Sequence, residues 1–142
     1  MRLPLRSGHS AAELIVVLTV AGVILSLAIP RIELALDRIS VQEARREVVS
    51  VLADARTLAL ASHSAVAVDI VPGTGVFRVR RDAEIVFSRS VGPLHQVIVS
   101  ATRDSPSYDA RGLGYGAANL SVVLRRHAAA DTVWVSRLGR VR

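Results

Sequence analysis

The sequence predicts an α+β protein: one long N-terminal helix followed only by antiparallel strands. Three observations predict it. Residues 14–29 read LIVVLTVAGVILSLAI, an apolar run without a charge. A helical period of three and four continues from Ile32 to about residue 62. From Ser64 the period becomes two.

The 142 residues suit one domain. No cysteine is present, which excludes disulfides, thiolate metal sites and a cysteine nucleophile. Aromatics are 4% of the chain, too few for an extended base-stacking surface. The formal charge is +6 and sits in the C-terminal half, where residues 71–142 carry eleven arginines against five acids. A field of that sign attracts nucleic acid, anionic lipid or an acidic protein partner.

The helix begins near residue 10. Counted from Ala11, its first 19 residues without a basic side chain reach about 28 Å at about 1.5 Å each. That length just spans a hydrocarbon core of about 30 Å. Arg2 and Arg6 precede the run and hold the start on the cytoplasmic side; Pro30 and Arg31 close the far side. Two processing routes fit. A secretory signal would be cut after Ala28, because Ser26-Leu27-Ala28 has small residues at the required spacing. The alternative is a retained anchor, and Glu13 favours it. A carboxylate in an apolar run costs up to about 2.5–3.5 kcal/mol on insertion, the value at the bilayer centre, and gains nothing in a discarded segment. A retained acid calls for a cation, which a neighbouring subunit can supply.

Beyond Pro30, expected to bend the helix, the stripe runs through Ile32, Leu36, Ile39, Val41, Ala44, Val48, Val51, Leu52, Ala55, Leu58 and Ala59. This amphipathic half, residues 31–62, is expected to cover a sheet. Ala65–Ile70 reads as a strand, residues 71–75 as a turn, and Val76–Arg80 as the returning strand. In that strand Phe77 and Val79 face opposite to Val76, Arg78 and Arg80. Glu84–Ser88 and Gln96–Ser100 are two more strands, and residues 103–117 a loop. Leu120–Leu124 and Thr132–Val135 form a hairpin around residues 128–131, with Gly139–Arg142 as a last edge strand.

The N-terminal order is specific. Gly8 is followed by His9, Glu13 stands fifth counted from His9, and Pro30 stands twenty-second. This resembles the signature of type IV pilins and type II secretion pseudopilins. The resemblance implies a leader at residues 1–8, removed after Gly8 by a prepilin peptidase that methylates His9. It implies a transmembrane and filament-core segment at 9–30, and a periplasmic domain at 31–142. Glu13 would be neutralised by the N-terminal amine of a neighbouring subunit. Later segments resemble the FimT/GspH family of minor pilins and pseudopilins: Asp54-Ala55-Arg56, Asp109-Ala110-Arg111-Gly112, and Gly139-Arg140-Val141-Arg142 after Arg137. This implies a non-enzymatic minor pseudopilin that builds into or caps a pseudopilus in the bacterial inner membrane and periplasm. Its partners would be other pilin subunits, with no cofactor and no small-molecule substrate. The family also implies an alternative, duplex DNA binding through the arginine tail during DNA uptake.

Other chemistry finds little support. The histidines, at positions 9, 63, 95 and 127, lie more than 30 residues apart, so no local spacing makes them joint metal ligands. Gly112-Leu113-Gly114-Tyr115-Gly116-Ala117 matches the letters of a dinucleotide fingerprint. No strand leads directly into it and no helix follows, so a glycine-rich loop is expected instead. In an extended tail Arg140 and Arg142 share a face about 7 Å apart. Two purposes fit that pair: an edge strand guarded by charge, or phosphate contacts. Arg125 and Arg126 on the neighbouring hairpin are candidates to extend such a patch.

Overall fold

The computed structural model describes residues 10–115, 120–136 and 138–142. Helix α1 runs from Ala11 to Ser62 with Pro30 inside it. Residues up to Ala35 form one compact unit, and Leu36–Arg142 form another.

In the second unit the buried side of α1 begins at Asp37 and continues through Val41, Ala44, Val48, Val51, Leu52, Ala55 and Ala59. Their spacing of three and four gathers them on one side of the helix. Among the described residues, eight strands follow. β1 (Val66–Val71), β2 (Val76–Arg81) and β3 (Glu84–Ser90) form an antiparallel meander. A short helix α2 (Val91–His95) leads to β4 (Ile98–Ala101), then β5 (Ser107–Tyr108), β6 (Gly114–Tyr115), β7 (Leu120–Arg126) and β8 (Ala129–Val135). One sheet has the order β3-β2-β1-β5-β6 and the other β4-β7-β8, and neighbouring strands in both are antiparallel among the described residues.

Alternation decides what each strand buries. Val66, Val68 and Ile70 of β1, Phe77 and Val79 of β2, Leu120, Val122 and Leu124 of β7, and Val133 and Val135 of β8 join the α1 stripe in one core. The inward phase of β2 agrees with the sequence pattern. The architecture is therefore the expected α+β one, a long N-terminal helix packed on antiparallel sheets.

Several boundaries differ from the sequence reading. The expected strand at Gln96–Ser100 starts two residues later, because α2 occupies Val91–His95 and closes on Gln96 in the left-handed region at φ 53°. A five-residue helix leaves no periodic signal. It is held by a glycine contact: Gly92 N–H donates to Gly75 O at 3.0 Å. A Cβ on Gly75 would lie 2.8 Å from Gly92 Cα and 2.7 Å from Val99 Cγ2.

The expected loop 103–117 contains β5 and β6. Pro106 and Asp104 carbonyls accept from Val68 and Ile70 N–H, so this stretch completes the edge of β1. The β7–β8 hairpin is longer than expected, with Arg126 opposite Ala129 and a two-residue turn whose His127 has φ 46°. The tail forms a single bridge, Val135 to Val141, in place of a full edge strand.

Tyr108 is fully buried, and among the described residues its hydroxyl has no hydrogen-bond partner. Burial pushes its pKa up to about 12, against a smaller opposing effect from Arg56. The folded chain thus holds this proton more tightly than the unfolded chain does. The resulting stability is complete below about pH 10, the unfolded value, and is lost as pH rises through about 12. Tyr108→Phe removes an unpaired buried hydroxyl and keeps the ring. Urea unfolding of the detergent-solubilised chain is expected to show equal or greater stability for Tyr108→Phe at pH 8. It is also expected to show a decline between pH 10 and 12 that is smaller by about 2–3 kcal/mol.

Candidate functional site

In the N-terminal unit, Ser10 and Glu13 start α1. Glu13 N–H donates to Ser10 O at 3.0 Å and to Ser10 Oγ at 3.3 Å. Ser-x-x-Glu is the spacing of a capping box, and an acid in the first turn suits the helix dipole. The signal for this local role is the three-residue spacing of Ser10 and Glu13.

Every large aliphatic residue from Leu14 to Ile29 is more than half exposed within the chain. Thr19 and Ser26 donate their hydroxyls to the carbonyls of Ile15 and Val23, so neither needs water. α1 is long and apolar enough here to cross a membrane. Pro30 removes one backbone donor from the helix. Gly8 and His9 lie outside the described residues.

The three later motifs meet in space. Arg56 Nε–H donates to Gly112 O at 3.0 Å. Asp109 holds the Gly112 loop: its Oδ1 accepts from the N–H groups of Arg111 and Leu113 at 2.9 and 2.8 Å. Gly139, at φ 70°, packs on the same carbonyl, and a Cβ there would come within 2.8 Å of Gly112 O. The glycine of the tail is therefore a packing requirement, and it fixes where Arg140 and Arg142 emerge. The glycines that match the letters of a dinucleotide fingerprint serve the fold: Gly112 lies against Arg56 and Leu60, and Gly114 begins a strand.

The bridge at Val141 sets the direction of the tail. Trp134 and Arg142 exchange both backbone hydrogen bonds, at 2.9 and 2.8 Å, and Ser136 N–H donates to Arg140 O at 2.9 Å. Residues directly opposite one another share a face. Trp134, Ser136, Arg140 and Arg142 therefore project away from the core, while Val135 and Val141 turn toward it. Arg125 alternates with buried Leu124 and lies on the same outer face.

Two grooves flank the tail. One, of about 550 Å³, is lined by Val49, Ala53, Arg56, Leu60, Arg140 and Arg142. The other, of about 470 Å³, is lined by Trp134, Leu138, Arg140 and Arg142. Arg137 lies outside the described residues. Trp134 is a further residue of this face that the charge pattern does not reveal; period two in Thr132–Val135 turns it outward.

Arg126 does not extend this patch, which corrects the expectation. It shares the inward phase of Leu120, Val122 and Leu124 and meets α1. Its Nε lies 2.9 Å from Asp37 Oδ1 in charge contact, without an aligned hydrogen bond. Its Nη1 donates to Ser40 Oγ at 2.7 Å and to His95 O at 3.1 Å. His127 Nδ1 also approaches Asp37, at 3.1 Å, and His95 Nε2 meets Glu47 Oε2 at 2.6 Å. These histidines join α1 to α2 and to the hairpin. Among the described residues no group of three acidic or histidine side chains is placed to hold a metal.

An apolar N-terminal helix continuing into a half that packs on antiparallel sheets is a type IV pilin-like fold, and the apolar segment is consistent with pilin membrane anchoring. Two solved structures share it. Both are of the type IV minor pilin FimU of Pseudomonas aeruginosa strain PAO1. The crystal form in space group P21 superposes with a TM-score of 0.62 over 74% of this chain and 88% of that one, at 13% identity. The form in P65 gives 0.59 over 71% and 90%, again at 13% identity. No family model matches the chain, and no curated protein does. The likeness is one of fold.

The two adjacent arginines are expected to separate in a stability measurement. Asp37→Asn leaves the partly buried Arg126 without its counter-charge. The expected cost is about 2 kcal/mol, below the roughly 3–5 kcal/mol of a fully buried pair. Arg125→Gln is expected to stay within about 0.5 kcal/mol of the parent. Urea unfolding of both variants checks this, and equal effects would contradict the assignment of inner and outer arginines.

Proposed function

We propose that the chain is a minor pilin or pseudopilin subunit, GspH-like in role, that is assembled into or caps a periplasmic filament of a type II secretion system. The observation that carries this is the continuous exposed apolar surface from Leu14 to Ile29 on the same helix that, from Asp37 onward, packs on a pilin-like pair of sheets. A surface of that kind needs lipid or other apolar helices around it. Before assembly it would anchor the chain in the inner membrane with the C-terminal unit in the periplasm. In a filament it would pack against the helices of other subunits. Gly8 and His9 would be the processing site for a prepilin peptidase, and Glu13 would set register against a neighbouring subunit's amine. On this proposal the protein acts by assembly and not by catalysis.

Intact-mass analysis of membrane-extracted protein, run beside co-purification with major subunits, tests the proposal. The mature chain is expected to begin at a methylated His9. Glu13→Ala is expected to keep membrane insertion, because removing an acid does not oppose it, and to lose co-purification, because the neighbouring amine loses its partner. A chain beginning at Ile29 would identify a secretory signal and overturn the proposal.

A second function, binding of DNA during uptake, is favoured by one specific arrangement. Arg125, Arg140 and Arg142 are exposed on one outer face. Their guanidiniums can bond phosphates bidentately. Three contacts predict a slope of about −2.7 in log affinity against log salt on duplex DNA. Changing Arg140 and Arg142 to Gln is expected to cut that slope to about −0.9 in a filter-binding titration. An unchanged slope would place the contacts elsewhere.

A further inference from the structure

We infer that Trp134 is a stacking platform for an unpaired base, and that the outer face of the β7–β8 sheet therefore prefers single-stranded over duplex DNA. The inference rests on the DNA-binding function just proposed and adds to it a residue, a contact and a strand preference.

Trp134 is 58% exposed in a strand whose neighbouring residues, Val133 and Val135, are buried at 0% and 2%. Nothing in the core needs an indole at this position. Its place is fixed from two sides. On one side Ser121 of β7 is its cross-strand partner. On the other, Arg142 exchanges both main-chain hydrogen bonds with it. Directly opposite residues in such a pair have Cβ atoms about 5 Å apart on the same face. Arg142 and the indole are thus immediate neighbours, with Arg140 beyond them. Leu138 adds an apolar wall, 58% exposed, to the groove that all three line.

Arg125 belongs to the same surface. It pairs with Ala130, four residues before Trp134 along β8, so it stands about 13 Å from Trp134 at about 3.3 Å per residue. The guanidiniums therefore occur on both sides of an exposed ring. That combination matches an unpaired strand: phosphates bond to cations placed on either side, and a base lies flat on the ring between them. In a duplex the bases are stacked on each other and the ring finds no free π-face. The chain's few aromatics argue against a long stacking surface, and this site needs only one. An acidic protein surface would satisfy the arginines equally well but leave the indole unused.

The chain has one tryptophan, so its fluorescence reports on this site alone. The experiment titrates full-length, detergent-solubilised protein at low salt with oligo(dT), with a duplex of equal length and with polyglutamate. Labelled-oligonucleotide anisotropy is run in parallel on Trp134→Ala and Trp134→Phe, after circular dichroism confirms that both are folded. Oligo(dT) is expected to quench the fluorescence saturably and to bind more tightly than duplex. Trp134→Ala is expected to weaken oligo(dT) binding by at least about fivefold, with little change on duplex, and Trp134→Phe to retain most of it. Binding of oligo(dT) without quenching, or undiminished in Trp134→Ala, overturns the stacking role and leaves the arginine contacts standing. Equal quenching by polyglutamate overturns it as well, since charge alone would then perturb the ring. Absence of binding to either DNA overturns the DNA-binding function together with this inference.

Discussion

The second unit is organised by the apolar stripe of α1 from Val41 to Ala59. Both sheets turn their inner faces to one core, and the stripe is the part of that core contributed by the helix. Three of its seven apolar members are fully buried alanines, which leave room for the larger side chains of Phe77, Leu120 and Leu124. Without the stripe, each sheet would have an apolar face open to water. Exposing that surface is strongly unfavourable, at about 25 cal/mol per Å² of apolar area. The earlier part of α1 makes no such contribution within the chain. Its aliphatics are exposed, so one continuous helix presents two surfaces with different requirements.

Polar contacts then limit how α1 can slide or rotate. Asp37 and Ser40 meet Arg126, Arg45 meets Asp131 at 3.4 Å, and Glu47 meets His95. These α1 residues and their partners are 48 to 89 residues apart in sequence, and they fall on the border of the apolar stripe. Hydrophobic packing tolerates small shifts, whereas a partly buried charge that loses its partner is costly. The gain is positional definition more than net stability. It is greatest at Asp37, where burial of α1 begins.

The legible parts of the fold were those with long periods. A 52-residue helix and strands of six or seven residues repeat their pattern often enough to be read. Helix α2 and strands β5 and β6 have two to five residues each. They exist because of distant contacts: Gly75 against Gly92, and the backbone of β1 against residues 104–108. No local pattern encodes those. The site divided in the same way. The shared face of Arg140 and Arg142 followed from alternation in an extended tail. The Gly139 contact with Gly112 and Arg56 did not, because three segments far apart in sequence meet there, Arg56 lying 56 residues before Gly112. Trp134 was legible and passed over, since a count of aromatics says how many rings exist and not which one is left exposed.

Arg125 and Arg126 show why composition alone cannot locate a binding surface. They are adjacent, identical and equally basic. Strand alternation sends them to opposite faces. Facing inward, Arg126 meets Asp37, Ser40 and the His95 carbonyl, and its charge is used to hold the helix. Facing outward, Arg125 joins Trp134, Arg140 and Arg142, a face on which the core makes no demand. Arg80 is likewise occupied: Asp69 accepts from its Nε at 3.1 Å, and this hydrogen bond, the largest cause, lowers the Asp69 pKa. Much of the +6 charge of the C-terminal half is therefore structural or dispersed. What concentrates the available remainder is the tail, which Gly139 can seat only because a hydrogen is its whole side chain. The surfaces offered to partners, the apolar helix before Asp37 and the outer face beside Trp134, are the ones that folding of the core leaves unused.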